Sequence, residues 1–247
     1  MVNELNRIHI DGKPMYVHYK LDTRTRIEHF FAQCYVEVGS SFRLEEELRY
    51  TTAERLKQVF PNKFKGDNAK KADELIALQS DKAKVIANYV YGDKNGNQGG
   101  DDGWNFRGRG IIQLTGRNNY TAFQNYYNNS NPNDKKDFLN NENHRNEITT
   151  NGKFALLSAV YFWNARTYPS QGVIATWRGK YLYQIADDKD NGNIITKEKD
   201  NDSKQEIGLT QTQRVMSKLI NGGYHGLTDR RDAHNRIKNA ELFKGFK

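Results

Sequence analysis

The chain of 247 residues holds a single cysteine, Cys34. That excludes an intramolecular disulfide and a thiolate metal centre. It holds only four prolines, and no stretch rich in proline, glycine or serine reads as a linker between domains. No apolar run approaches the roughly 20 residues that a membrane helix requires. The opening residues, MVNELNRIHIDGK, lack the apolar centre of a secretory signal. The expectation is synthesis in the cytoplasm without a signal peptide. The six histidines (His9, His18, His29, His144, His225, His234) show no HExxH or paired spacing. No cofactor is therefore expected. A phosphate-loop GK[ST], an aromatic-rich RNP pattern and a GxSxG nucleophile motif are also missing, so nucleic acid is not expected as a partner.

What is present is a folded, basic protein. Aromatic residues make up 12% of the chain, more than disordered chains carry. The net charge of +8 favours an anionic partner such as a nucleic acid, a membrane surface or a cell-wall polymer, and charge alone does not choose among them.

The periodicity predicts a mainly helical single domain over residues 1–247. Alternation around Asp11-Gly12 predicts an N-terminal β-hairpin, an extension over residues 1–20. Ile27, Phe30, Phe31, Cys34 and Val38 form one stripe of a helix over residues 25–38, stopped by Gly39. A second helix follows Thr51 or Thr52 and ends before Pro61. A third is expected over residues 69–91. Residues 92–103 read as a turn-rich loop, and residues 124–152 as mostly loop with one short helix. Residues 154–165, FALLSAVYFWNA, are apolar nearly all round, the mark of a central helix. Residues 186–205 read as a charged surface insertion, and residues 210–220 and 229–243 as closing helices.

Two carboxylate regions could carry chemistry. Glu37 falls at the edge of the apolar stripe, where a partly desolvated carboxyl is suited to donate a proton. After a short break comes Glu45-Glu46-Glu47, one of which could face Glu37 across a cleft. Two carboxyls in unlike environments are what glycosidic hydrolysis needs. The stretch FRGRGIIQLTGRNNY, residues 106–120, is the third feature. Its glycines permit close backbone approach. Gln113, Thr115, Asn118 and Asn119 supply donors and acceptors that suit sugar hydroxyls and acetamido groups better than phosphate. Asn221, in an Asn-Gly-Gly turn, is a ligand contact or a turn former. Residues 187–198 match a calcium loop at Asp187, Asn191, Gly192 and Glu198, but Lys189 stands where a ligand is needed, which favours a plain turn.

In order, RIEHFFAQCYVEVGSSFR, EELRYTTAERLKQVFPNKF, GDDGWNFRGRGIIQLTGRNNY, LLSAVYFWNAR and LINGGYHGLTDRRDAHNRIK resemble the motifs of glycoside hydrolase family 19, in its phage endolysin and bacterial chitinase-like branch. The resemblance covers residues 20–240. It implies a lysozyme-like, mainly α fold with small irregular or β elements around a cleft. It further implies inverting hydrolysis of β-1,4 bonds beside N-acetylglucosamine. By that resemblance Glu37 is the general acid, Glu46 the general base, and Thr115 a holder of the attacking water. Gln113, Asn119, Tyr120 and Asn221 would bind sugar, with Arg230 close to the catalytic carboxylates. Val36 replaces the family histidine before the acid, and one extra residue in the next turn leaves Glu45 and Glu47 as alternative bases. Ile111, where chitin-specific relatives often carry proline, leans toward a peptidoglycan-cleaving endolysin or muramidase. A chitinase and a non-catalytic glycan-binding module are the alternatives. The lytic reading implies action at the bacterial cell wall after delivery by a holin or a secretion apparatus, with an immunity protein as a possible partner.

Overall fold

The computed structural model describes residues 1–246. It is mainly helical, with one two-stranded antiparallel sheet among the described residues. That agrees with the fold class expected from periodicity. By its contacts the chain divides into two compact units.

The first unit comprises residues 1–42 and 159–247. Its main helix is Arg24–Val38, one residue longer at its start than the apolar stripe indicated. The Thr23 hydroxyl accepts from the Arg26 N–H, and Gly39 at φ 62° ends the helix. Helix Leu227–Asn239 packs along it. Ile27, Phe30, Val38, Trp163, Trp177, Met216 and Leu227 are buried in this unit. The Phe30 and Trp163 rings meet edge to face, 5.7 Å apart.

Residues 186–205 are more ordered than an insertion of charged residues suggests. They hold helix Lys189–Gly192 and strand Ile195–Lys199, which pairs with strand Glu206–Thr210. Ile207 and Leu209 from the second strand pack with Leu227. Buried Asp200 accepts from the Thr228 N–H and hydroxyl, both at 2.7 Å. That ties the hairpin to the start of helix Leu227–Asn239.

The N-terminal hairpin did not form. Asp11 and Gly12 do make a tight turn, but only Ile8 and Pro14 pair across it, as an isolated bridge. Pro14 caps helix Met15–His18 instead. Its fixed φ of −62° directs the following residues into a helical turn.

The second unit comprises residues 43–158. Thr52 caps helix Ala53–Val59. The helix expected over residues 69–91 is two helices, Ala69–Ala77 and Lys82–Tyr91. Leu78 leaves the first in an extended conformation and packs on the same apolar cluster as Leu75, and Asp81 is left-handed. The stretch read as mostly loop is largely helical, in Arg117–Ser130 and Glu142–Thr150. Aromatic packing of Phe123, Tyr127, Phe138 and Phe154 overrides its polar composition. Helix Gly152–Ala165 carries the chain from this unit into the first.

Candidate active site

The candidate residues fall into two groups, one in each unit. In the first unit, Glu37 lies in the last turn of helix Arg24–Val38. Its Oε1 accepts from Arg230 Nη2 at 2.5 Å. Arg230 is 5% exposed and donates from Nη1 to Gln33 Oε1 at 2.6 Å. Gln33 sits one helical turn before Glu37, so both present acceptors on one face. Oε2 of Glu37 has no hydrogen-bond partner among the described residues. Cys34, next to this cluster, is buried and its thiol is pushed up by desolvation, which disfavours the nucleophilic thiolate.

In the second unit, residues 44–46 lie against residues 106–114. The Glu46 N–H donates to Gly108 O at 2.9 Å, and the Gly110 N–H donates to Leu44 O at 2.8 Å. This ladder fixes the Glu46 side chain. Its Oε1 accepts from the Tyr91 hydroxyl at 2.7 Å, and its Oε2 from the Gly108 N–H at 3.3 Å. Burial pushes the Glu46 carboxyl above its ordinary range, against the opposing pull of Tyr91, the Gly108 N–H and Arg107. A β-carbon on Gly108 would lie 2.7 Å from Gln113 Oε1 and 3.4 Å from Glu46 Oε2. The missing side chain thus lets the Gln113 amide and the Glu46 carboxylate flank the same backbone position.

The neighbouring glutamates differ. Glu45 is taken up by the Arg107 guanidinium, with Arg109 Nε 3.4 Å away, and Glu47 is exposed. Arg107 also stacks on Trp104 at 3.6 Å, and Arg109 donates to Asn105 O at 2.6 Å. The two arginines are internal braces. Among the three consecutive glutamates, only Glu46 combines burial with neutral donors.

Gln113 adopts φ 51° and donates from Nε2 to Gly110 O and Arg43 O, at 3.2 and 3.3 Å. The Thr115 hydroxyl donates to Gln113 O at 2.8 Å, so its lone pairs remain to accept from a water. Asn119, which is exposed, donates to Thr115 O at 2.8 Å. These residues form one hydrogen-bonded turn leading into helix Arg117–Ser130.

No family model matches the sequence. Among curated proteins, the chain is 30% identical over 139 residues to one from Haemophilus influenzae named "Glycosyl hydrolase family 19 domain-containing protein". The family 19 resemblance is supported. The alignment covers 54% of this chain and 58% of that protein, so a little over half of the relative's length is matched. The relative's family name points to a glycosidase.

The structure corrects one family-based expectation, Tyr120, and bears on two further readings, Asn221 and the calcium-loop spacing. Tyr120 is fully buried: its hydroxyl donates to Arg107 O at 2.8 Å and accepts from Arg109 Nη1 at 3.0 Å. It braces the Arg107–Leu114 turn from behind and cannot touch a sugar there. Asn221 donates from Nδ2 to His225 O at 2.6 Å and accepts the Gly223 N–H at 2.8 Å. Both ends of its amide hold its own turn, the second of the two roles its sequence context allowed. The calcium-loop residues serve other partners. Asp187 accepts from Thr23, Thr25 and Arg26, Glu198 pairs with Arg214 at 2.7 Å, and Asn191 donates to Thr176. Residues 189–192 are helical and 195–199 are strand, so no cation loop is formed.

Tyr91 and Gln33, which hold Glu46 and Arg230, join the candidate site without having been singled out in the sequence. Gln33 had a signal, its four-residue spacing from Glu37 on a helix. Tyr91 had none, because its bond to Glu46 spans 45 residues.

Proposed function

We propose that this protein is a glycosidase that cleaves β-1,4 bonds between the amino sugars of bacterial peptidoglycan by inverting general acid–base hydrolysis. The observation that carries this reading is Glu46. It is a half-buried carboxylate held by Tyr91 and Gly108 and flanked by the Gln113 amide; Gly108 and Gln113 both lie in the stretch GDDGWNFRGRGIIQLTGRNNY, which resembles a family 19 motif.

In the proposed reaction Glu37 delivers a proton to the glycosidic oxygen as the C1–O bond breaks. Arg230, itself held by Gln33, fixes the group through Oε1, which leaves Oε2 to carry the proton. As the family resemblance implies, water attacks C1 with inversion and yields its proton to Glu46. A base is most effective when its acidity lies near the working pH, and burial moves Glu46 in that direction. Thr115 accepts a hydrogen bond from the attacking water. Gln113 and Asn119 bind the acetamido and hydroxyl groups. The net charge of +8 favours an anionic wall polymer over neutral chitin. Action at the cell wall after holin- or secretion-dependent delivery, and restraint by an inhibitor protein, complete the proposal.

The test measures clearing of purified peptidoglycan and release of chitin oligomers by the wild type and by Glu37→Gln. Peptidoglycan clearing that the substitution abolishes supports the reading. Equal activity of Glu37→Gln overturns the acid assignment. Release from chitin alone replaces the substrate, and glycan binding without turnover replaces the enzyme with a binding module.

A further inference from the structure

Nothing in the spacing of His9 and His18 marks them as a pair, yet the fold brings them together. The His9 N–H donates to Lys13 O at 2.8 Å, and the Gly12 N–H to His9 O at 2.9 Å, with Gly12 at φ 79°. This turn folds the chain back on itself. Pro14 then starts helix Met15–His18, whose last residue is His18. The two imidazole rings come to rest 4.1 Å apart, tilted by 46°.

Both rings address one carboxylate. His9 Nδ1 and His18 Nε2 each lie 3.1 Å from Asp11 Oδ1. One ligand atom from each of the three side chains lies within 4.8 Å of the others. A tetrahedral zinc centre with bonds of about 2.0–2.1 Å has ligand–ligand edges of roughly 3.3–3.4 Å. The observed spacing is therefore within a small side-chain adjustment of a coordination sphere.

We infer that His9, Asp11 and His18 form a binding site for a divalent transition-metal cation of the Zn²⁺ class. Two imidazoles and one carboxylate suit zinc, nickel or copper(II). Magnesium and calcium demand mostly oxygen ligands. The carboxylate is prepared for the role. Its Oδ1 also accepts from the Lys13 N–H at 3.1 Å, which fixes that oxygen between the two imidazoles. The three side chains are partly or largely exposed, which gives the cation an entry path and leaves coordination positions for water. All the ligands fall within ten residues that precede the family 19-like motifs. The bound cation would pin the Asp11-Gly12 turn to the short helix after it. The inference stands independently of the glycan reading.

The test is calorimetric titration of the full chain with ZnCl₂, with MgCl₂ for comparison, alongside NMR of the imidazole signals. One Zn²⁺ is expected to bind per chain, with no Mg²⁺ binding at the same concentrations. The His9 and His18 ring signals are expected to move on zinc addition, while those of His225 stay. Loss of a direct ligand should cost at least the roughly tenfold that loss of an outer-shell partner costs. His9→Ala and His18→Ala should each show that weakening, with unchanged circular dichroism. His225→Ala, an exposed histidine paired with Asp202, should bind as the wild type does. Absence of stoichiometric zinc binding would overturn the site. So would movement of the His225 signals in place of those of His9 and His18, or wild-type affinity in both ligand variants.

Discussion

Glu37 and Glu46 are held by opposite means. Glu37 meets a guanidinium that is itself buried and shared with Gln33, so its setting is one of paired charge. Glu46 meets a phenol and a backbone amide, and Arg107, the cation that acts on it among the described residues, is engaged by Glu45. Paired charge fixes a carboxyl in place. A neutral, desolvated cradle tunes how readily a carboxylate takes a proton. Two carboxyls with different tasks need such different surroundings.

The largest effect separates the two by deletion. Glu37→Gln and Glu46→Gln are each expected to lower hydrolysis by about 10²–10⁴-fold, the range for loss of a general acid or base. Turbidity clearing measures the loss, while glycan pull-down stays intact. Next is the ion pair. Arg230→Met leaves Glu37 and Gln33 without their shared donor, and breaking such a buried pair costs about 3–5 kcal/mol. Denaturant unfolding should show that loss, and adding Glu37→Gln to Arg230→Met should recover part of it.

Tyr91→Phe probes the neutral cradle. The Tyr91 hydroxyl stabilises the ionised Glu46, so its removal raises a carboxyl that burial already raises. A base works only above its own acidity range. The acidic limb of the pH–rate profile is therefore expected to move toward neutrality, with the plateau rate largely kept. An unmoved limb would assign that limb to another group.

The smallest effect is on stability. The raised Glu46 binds its proton more tightly in the folded chain than in the unfolded one. Its contribution is fully present below the unfolded carboxyl range, near pH 4.3, and is lost as pH rises through the folded value. Glu46→Gln, which stays neutral, should therefore melt higher than the wild type at pH 7, and the difference should shrink in acid. A catalytic group that costs the fold stability is common at active sites.

Helix Arg24–Val38 was legible because its apolar stripe and its closing glycine agree, and the structure adds Thr23 as its cap. The break at residues 78–81 was not, because no proline or glycine marks it. Leu78 leaves the helix to stay on the apolar cluster, a tertiary demand that local pattern does not carry. The alternation at residues 15–19 misled for a related reason, since five residues are too few to distinguish a strand from a helical turn. At the site, the motif stretch was legible as a polar wall, through Gln113, Thr115 and Asn119. The inward turn of Tyr120 was not, because donors and acceptors read alike whether they face solvent or the interior.

The stacking of Arg107 on Trp104 offers an optical handle. Trp163 and Trp177 are buried at 2% and 0% exposure, whereas Trp104 is only partly covered. A water-soluble quencher will therefore act mainly on Trp104. The cation on its indole face is the one that engages Glu45, the neighbour of Glu46. Any ligand that disturbs that residue pair will register in Trp104 emission, so occupancy of the Glu46 region can be followed by light in the unlabelled wild-type chain.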